Sequence, residues 1–118
     1  MLNQLVLVGR LTKQPEVKEL EDGKKVSNIT LAVPRNFKNE KGEYDVDFID
    51  AVLWDVAATN TAEYCKKGDI VGIRGRLQTD TYEKDGAKIS KLNLIAERVS
   101  FLSSNRDKIE QSLEAARG

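Results

Sequence analysis

The sequence predicts an all-β chain closed into a five-stranded Greek-key barrel with one helix between its third and fourth strands. Two observations lead there. Apolar and polar residues alternate with a period of two over most of the first hundred positions, and one short stretch carries helical spacing instead. The length of 118 residues suits a single domain.

The first strand runs from Leu5 to Leu11. Leu5, Leu7 and Leu11 share one parity with Gly9, and Val6, Val8 and Arg10 take the other, so it reads as buried on both sides at first and half exposed later. Asp22-Gly23 signals a hairpin into a second strand with Ile29, Leu31 and Val33 inward and Asn28, Thr30 and Ala32 outward. Pro34 is expected to end it, because proline cannot donate to the ladder. Residues 35–45 read as a flexible loop or the tip of a long hairpin around Lys41-Gly42.

The third strand, Asp47 to Trp54, is the most informative. Ile49, Ala51 and Leu53 make an ordinary core face, whereas the other face presents Phe48, Asp50, Val52 and Trp54. Two large aromatics beside a carboxylate describe a partly wet, aromatic surface. A helix follows, with Asp55 as the expected N-cap, Ala58, Thr61, Ala62 and Cys65 on one stripe, and Gly68 as the expected C-cap. In the fourth strand Val71, Ile73 and Leu77 alternate with Gly72, Arg74, Arg76 and Gln78. Gly75 marks a bend or bulge where the barrel closes. A hairpin around Asp85-Gly86 prolongs this strand, and Leu92 to Leu102 closes the barrel. Three strands, a helix and two strands is the order of an OB-fold. It occupies residues 1–103, and residues 104–118 form a short tail in which Ile109, Leu113 and Ala116 repeat at helical spacing.

Counting excludes several chemistries. The chain has no histidine and one cysteine, Cys65, so a zinc finger, a Ser-His or Cys-His pair, His-ligated haem and an internal disulfide all fail. Asp45, Asp47, Asp50 and Asp55 are close in sequence, but strand alternation separates them and Asp55 belongs to the helix start. Gly72-Ile-Arg-Gly75 lacks the spacing and following helix of a phosphate loop. No catalytic residue, metal or cofactor is expected. The first apolar run breaks at Gly9-Arg10 with no basic segment ahead of it, so neither a signal peptide nor a membrane span is expected.

Binding is the better reading. Phe37, Phe48, Trp54 and Tyr82 sit where burial is not the natural expectation, with Tyr44 a weaker fifth. Arg10, Lys13, Arg35, Lys38, Lys41, Lys66, Lys67, Arg74 and Arg76 lie between them. Aromatics interleaved with basic residues on an OB barrel make a stacking platform in a positive groove, suited to single-stranded nucleic acid. Nineteen basic and nineteen acidic residues cancel, so the attraction has to be local.

The opening Met1-Leu-Asn-Gln-Leu-Val-Leu-Val-Gly-Arg-Leu-Thr-Lys13, with Pro15-Glu16, resembles that of bacterial single-stranded DNA-binding proteins. So do Asn28 to Val33, Asp47-Phe48 with Val52-Leu53-Trp54, Tyr64 to Asp69, Gly75 to Thr79, and Ala96-Glu97. The resemblance implies a homotetramer that wraps single-stranded DNA without regard to sequence in replication, recombination and repair. It places base-stacking aromatics at Phe37, Phe48, Trp54 and Tyr82, and pairs the first strand between subunits. Phosphates are expected at Arg10, Lys13, Arg35, Lys66, Lys67, Arg74 and Arg76. Asp80 and Thr81 ahead of Tyr82, and Asp55 after Trp54, replace basic residues or glycine common in the family and weaken the local positive field. The family's Gly, Gln and Pro-rich linker and acidic tip have no counterpart here, so recruitment of partners through such a tip is not expected. A truncated, plasmid, phage or specialised form remains open. The expected location is the cytoplasm of a bacterium, at the nucleoid. The alternative is an OB-fold adaptor of primosome or recombination type, acting mainly through protein contacts.

Overall fold

Residues 1–103 are described by the computed structural model. Their elements are β1 (Leu5–Leu11), β2 (Lys18–Glu19), β3 (Lys25–Lys38), β4 (Tyr44–Trp54), α1 (Asp55–Tyr64), β5 (Ile70–Lys84) and β6 (Ala87–Ser103). The strands run β1-β5-β6-β4-β3-β2, and β1 returns to pair with β3, so the five long strands close on themselves. All pairings are antiparallel except β4 with β6, which meet in parallel at Val52↔Ile95 and Leu53↔Ala96. This is the expected OB-fold barrel, with a short added strand, β2, laid against the start of β3.

Closure depends on two close backbone approaches. β1 pairs with β5 from Leu5 to Arg10, and reaches β3 only at Arg10↔Ala32 and Leu11↔Leu31. A Cβ on Gly9 would lie 2.9 Å from both the Ala32 carbonyl oxygen and a Val33 methyl. At Gly75 the β5–β6 register slips, and a Cβ there would run into the Ile95 carbonyl. Only glycine lets the strands pass so closely. Inside sit Leu11, Ile29, Leu31, Ala51, Leu53, Val71, Ile73, Leu94 and Ala96, with Ala58 and Cys65 from the helix side of the barrel.

Several local expectations change. Val6 and Val8 are exposed, so β1 is not buried on both sides within one chain. Pro34 does not end its strand: β3 continues to Lys38, with Pro34 paired to Val46. The β1 partner stops at Ala32, so the proline falls where β3 has a neighbour on one side only and a missing donor costs little. Residues 35–45 are therefore the tip of a long hairpin. Asp55 does not cap α1. Trp54 holds the N-cap position without a side-chain bond, and the Asp55 carboxylate accepts from the Lys25 N–H at 3.1 Å, where the β3–β4 ladder has run out. Gly68 does not end α1 either. The C-cap is the extended Cys65, and Gly68, at φ +93°, shapes a separate turn whose N–H donates to the Leu11 carbonyl. Leu77 is 40% exposed although it pairs with the buried Leu94: the bulge adds Glu97 to β6 and leaves the alternation of β5 intact, but β1 stops pairing with β5 at Gly75, so Leu77 has lost that neighbour. The helical repeat expected in 104–118 lies outside the described residues.

Two stability predictions follow from the interior. Gly75→Ala should lower stability by about 2 kcal/mol, because the added methyl meets backbone rather than a movable side chain; thermal unfolding reads this out. Ser27, buried opposite Leu53, has an Oγ with no hydrogen-bond partner among the described residues. Ser27→Ala should therefore hold or raise the melting temperature, since it removes a desolvated hydroxyl that gains nothing in return.

Candidate nucleic-acid interface

The outer face of β4 carries Phe48, Asp50, Val52 and Trp54 in sequence steps of two, a row about 20 Å long at roughly 3.3 Å per residue. Their neighbours across β3 are Ala32, Thr30, Asn28 and Val26 in turn. Phe48 has only the small Ala32 opposite it and Trp54 has Val26, and neither ring is buried by its partner. Phe48 is 68% exposed and Trp54 39%.

Two hairpin arms flank this face. The β3–β4 arm carries Phe37, 64% exposed, and its tip is built by Asn39, whose carboxamide oxygen accepts from the N–H groups of Lys41 and Glu43. The β5–β6 arm turns at Asp85-Gly86, both at positive φ, as a two-residue hairpin requires. Its Tyr82, 48% exposed, lies opposite Ile89. On the parity of Tyr82 come Asp80 and Gln78, and Asp80 accepts from both the Gln78 and Asn93 amides. Asn93 in turn lines a groove of 380 Å³ floored by Asn28, Thr30, Asp50 and Val52 and bounded by Lys13 and by Lys91 to Leu94. The β5–β6 arm thus continues the surface on which Phe48 and Trp54 stand.

The basic residues are dispersed. Lys13 borders the groove and a second hollow formed with Gln14, Glu16, Val17, Lys18, Val26 and Asn28. Arg10 follows Ala32 and Phe48 in one cross-strand row, and its Nη1 donates to the Gly68 carbonyl at 3.1 Å. That contact fastens β1 to the turn bearing the exposed Lys66 and Lys67. Arg35 is held by its own hairpin. Its guanidinium donates to both carboxylate oxygens of Asp47, lies 3.6 Å from Asp45, and sits 6.0 Å from the centre of the Phe37 ring. Arg74 lies beside Val6 and Arg98 on the β1–β5–β6 face, away from the groove wall. Arg76, past the bulge, donates to Gln78 and lies 3.9 Å from Glu97.

Sequence reasoning did not single out Lys91 or Asn93 as lining this groove. The signal was present, because a two-residue turn at Asp85-Gly86 fixes the ladder, and stepping back from Lys84↔Ala87 pairs Asp80 with Lys91 and Gln78 with Asn93.

A closed OB barrel with an exposed aromatic row, a polar groove and two flanking arms defines a nucleic-acid-binding module. Comparison with known proteins is more specific. Residues 2–102 match the single-strand binding protein family, and the chain belongs to that family. It is 45% identical over 103 residues to the single-stranded DNA-binding protein B of Bacillus subtilis, covering 86% of this chain and 91% of that one. It is 46% identical to single-stranded DNA-binding protein 3 of Listeria innocua, covering 91% of this chain and 68% of the other. A crystal structure of a deletion mutant of the single-stranded DNA-binding protein from Thermus aquaticus superposes with a TM-score of 0.73 at 28% identity. That match covers 88% of this chain and about half, 52%, of the Thermus chain.

The Arg35–Asp47 pair has a measurable signature. The hydrogen bond from Arg35, aided by its charge, holds the Asp47 carboxyl below the ordinary aspartate range, and the same contact raises Arg35. Carboxyl titration by NMR should show Asp47 ionising below its usual value, returning upward in Arg35→Ala. Because the folded value is depressed, any support the pair lends the hairpin persists above the ordinary aspartate range and disappears as pH falls through the lowered value.

Proposed function

We propose that this chain binds single-stranded DNA without regard to sequence, as a non-catalytic protein that coats and organises single strands in replication, recombination and repair. One observation carries the reading: Phe37, Phe48, Trp54 and Tyr82 are all exposed, two on the barrel face and one on each arm. Family membership supports the same ligand. Bases stack on these four rings, while Lys13, Arg10, Lys66 and Lys67 supply positive charge to phosphates. Arg35 joins them to the extent that a phosphate competes with Asp47. Arg76 contributes less, being shared with Glu97 and Gln78.

The protein acts as an oligomer of identical chains, a homotetramer in the fullest form of this reading. Exposed Val6 and Val8 support it, together with Leu102, which lies over Gly72 close to Val8. Arg74 shares that face with Val6, so we assign it to the subunit contact more than to DNA. Among the described residues no helix is long and apolar enough to cross a membrane; action at the bacterial nucleoid is part of the proposal.

Titrating an unstructured oligonucleotide while recording Trp54 emission tests the reading, since a base stacked on the indole perturbs its fluorescence. Trp54→Ala or Phe48→Ala should weaken binding by about 1–3 kcal/mol per lost base contact with the thermal transition kept. Affinity should fall with salt at a log–log slope of about −0.7 per phosphate neutralised. No binding by the unaltered chain would favour the adaptor reading instead. For the oligomer, Val6→Asp should reduce the mass seen by light scattering; an unchanged mass would place the subunit contact elsewhere.

A further inference from the structure

Asp50, which stands between Phe48 and Trp54 along β4, is the one carboxylate among the described residues that line the groove. A carboxylate there is at odds with a site for phosphate, which it repels. Its surroundings explain what it does instead. The Thr30 hydroxyl donates to Oδ1 at 2.6 Å, which fixes the carboxylate plane, and no hydrogen bond reaches Oδ2 among the described residues. Asn28 and Asn93 place carboxamides in the same groove, and the ammonium groups available to it, Lys13 and Lys91, belong to its boundary. Asp50 and Asn28 lie on the β3–β4 floor, with Asn93 and the two lysines at the edge.

We propose, on the reading that this surface binds single-stranded DNA, that Asp50 accepts hydrogen bonds from base edges and biases binding toward cytosine over thymine. The sugar–phosphate strand then follows the rim by Lys13 and Lys91, and a base seated between Phe48 and Trp54 turns its edge down to Oδ2. An ionised carboxylate only accepts. Cytosine meets it with the N4 amino donor, whereas thymine presents the O4 acceptor at the same position, oxygen against oxygen. Stacking on Phe48 and Trp54 tolerates every base, so the contribution of Asp50 is a bias of composition superimposed on general binding.

The test compares oligo(dC) and oligo(dT) of equal length by fluorescence anisotropy at one salt concentration, for the unaltered chain, Asp50→Ala and Asp50→Asn. Removing the charge alters affinity for both polymers alike, so the ratio of dissociation constants isolates the base edge. One net hydrogen bond corresponds to about a fivefold change in that ratio. The ratio of the oligo(dT) to the oligo(dC) dissociation constant should fall about fivefold in Asp50→Ala, and in the same direction in Asp50→Asn, whose amide can donate to thymine O4. The isosteric Asn variant keeps the test valid if the Ala variant fails to fold. Binding of both polymers with a ratio unchanged in Asp50→Asn overturns this inference alone. Binding of neither by the unaltered chain overturns the assignment of the surface and this inference with it.

Discussion

The interior of this barrel is narrow, and that limit organises everything outside it. Five strands closed through the parallel β4–β6 pairing and the brief β1–β3 pairing leave room for Leu, Ile, Val, Ala and Cys side chains, and no aromatic is buried. All seven aromatic residues of the chain are exposed. Burying one is ordinarily among the largest gains a small domain can make. Here aliphatic side chains fill the interior, the strands meet in close backbone approach at Gly9 and Gly75, and the rings stand on the surface.

The outer surface then divides by strand. Over β3 and β4 the cross-strand partners of Phe48 and Trp54 are Ala32 and Val26, with Thr30 and Asn28 opposite Asp50 and Val52 between them, and both rings stay exposed. Around the barrel at β1 and β5, Val6, Val8 and Leu102 make an apolar patch with no ring in it, and Arg74 stands beside it. Position around the barrel separates the two chemistries: one outer surface suited to flat, polar-edged bases and another suited to a second apolar surface. The two hairpin arms extend the first surface beyond the barrel, stiffened by Arg35 on Asp47 in one arm and by the Gln78–Asp80–Asn93 network in the other.

Period-two alternation made most of this legible in advance. The outward placement of Phe48 and Trp54, the helix between the third and fourth long strands and the bulge at Gly75 all followed from residue periodicity and glycine spacing. What escaped was decided by tertiary neighbours. Pro34 reads as a strand end unless β1 is known to stop at Ala32. Asp55 reads as a helix cap until the open N–H of Lys25 appears beside it, and Leu77 reads as core until β1 is seen to leave β5 at Gly75. Arg35 was legible as a cation but not as one already engaged, because the register that brings Asp45 and Asp47 under it depends on how the hairpin closes.

The central claim is that rings excluded from the barrel interior are the surface on which single-stranded DNA lies. Photocross-linking with an oligonucleotide carrying 5-iodouracil, followed by peptide mapping, tests it directly, since the cross-link forms with an aromatic ring in contact with the base. Cross-links at Phe48 and Trp54, with Tyr82 and Phe37 on the arms, are the predicted result. Tyr64 on α1 and Phe101 near the end of β6 are equally exposed rings outside the proposed path. Cross-links confined to those two would contradict the account.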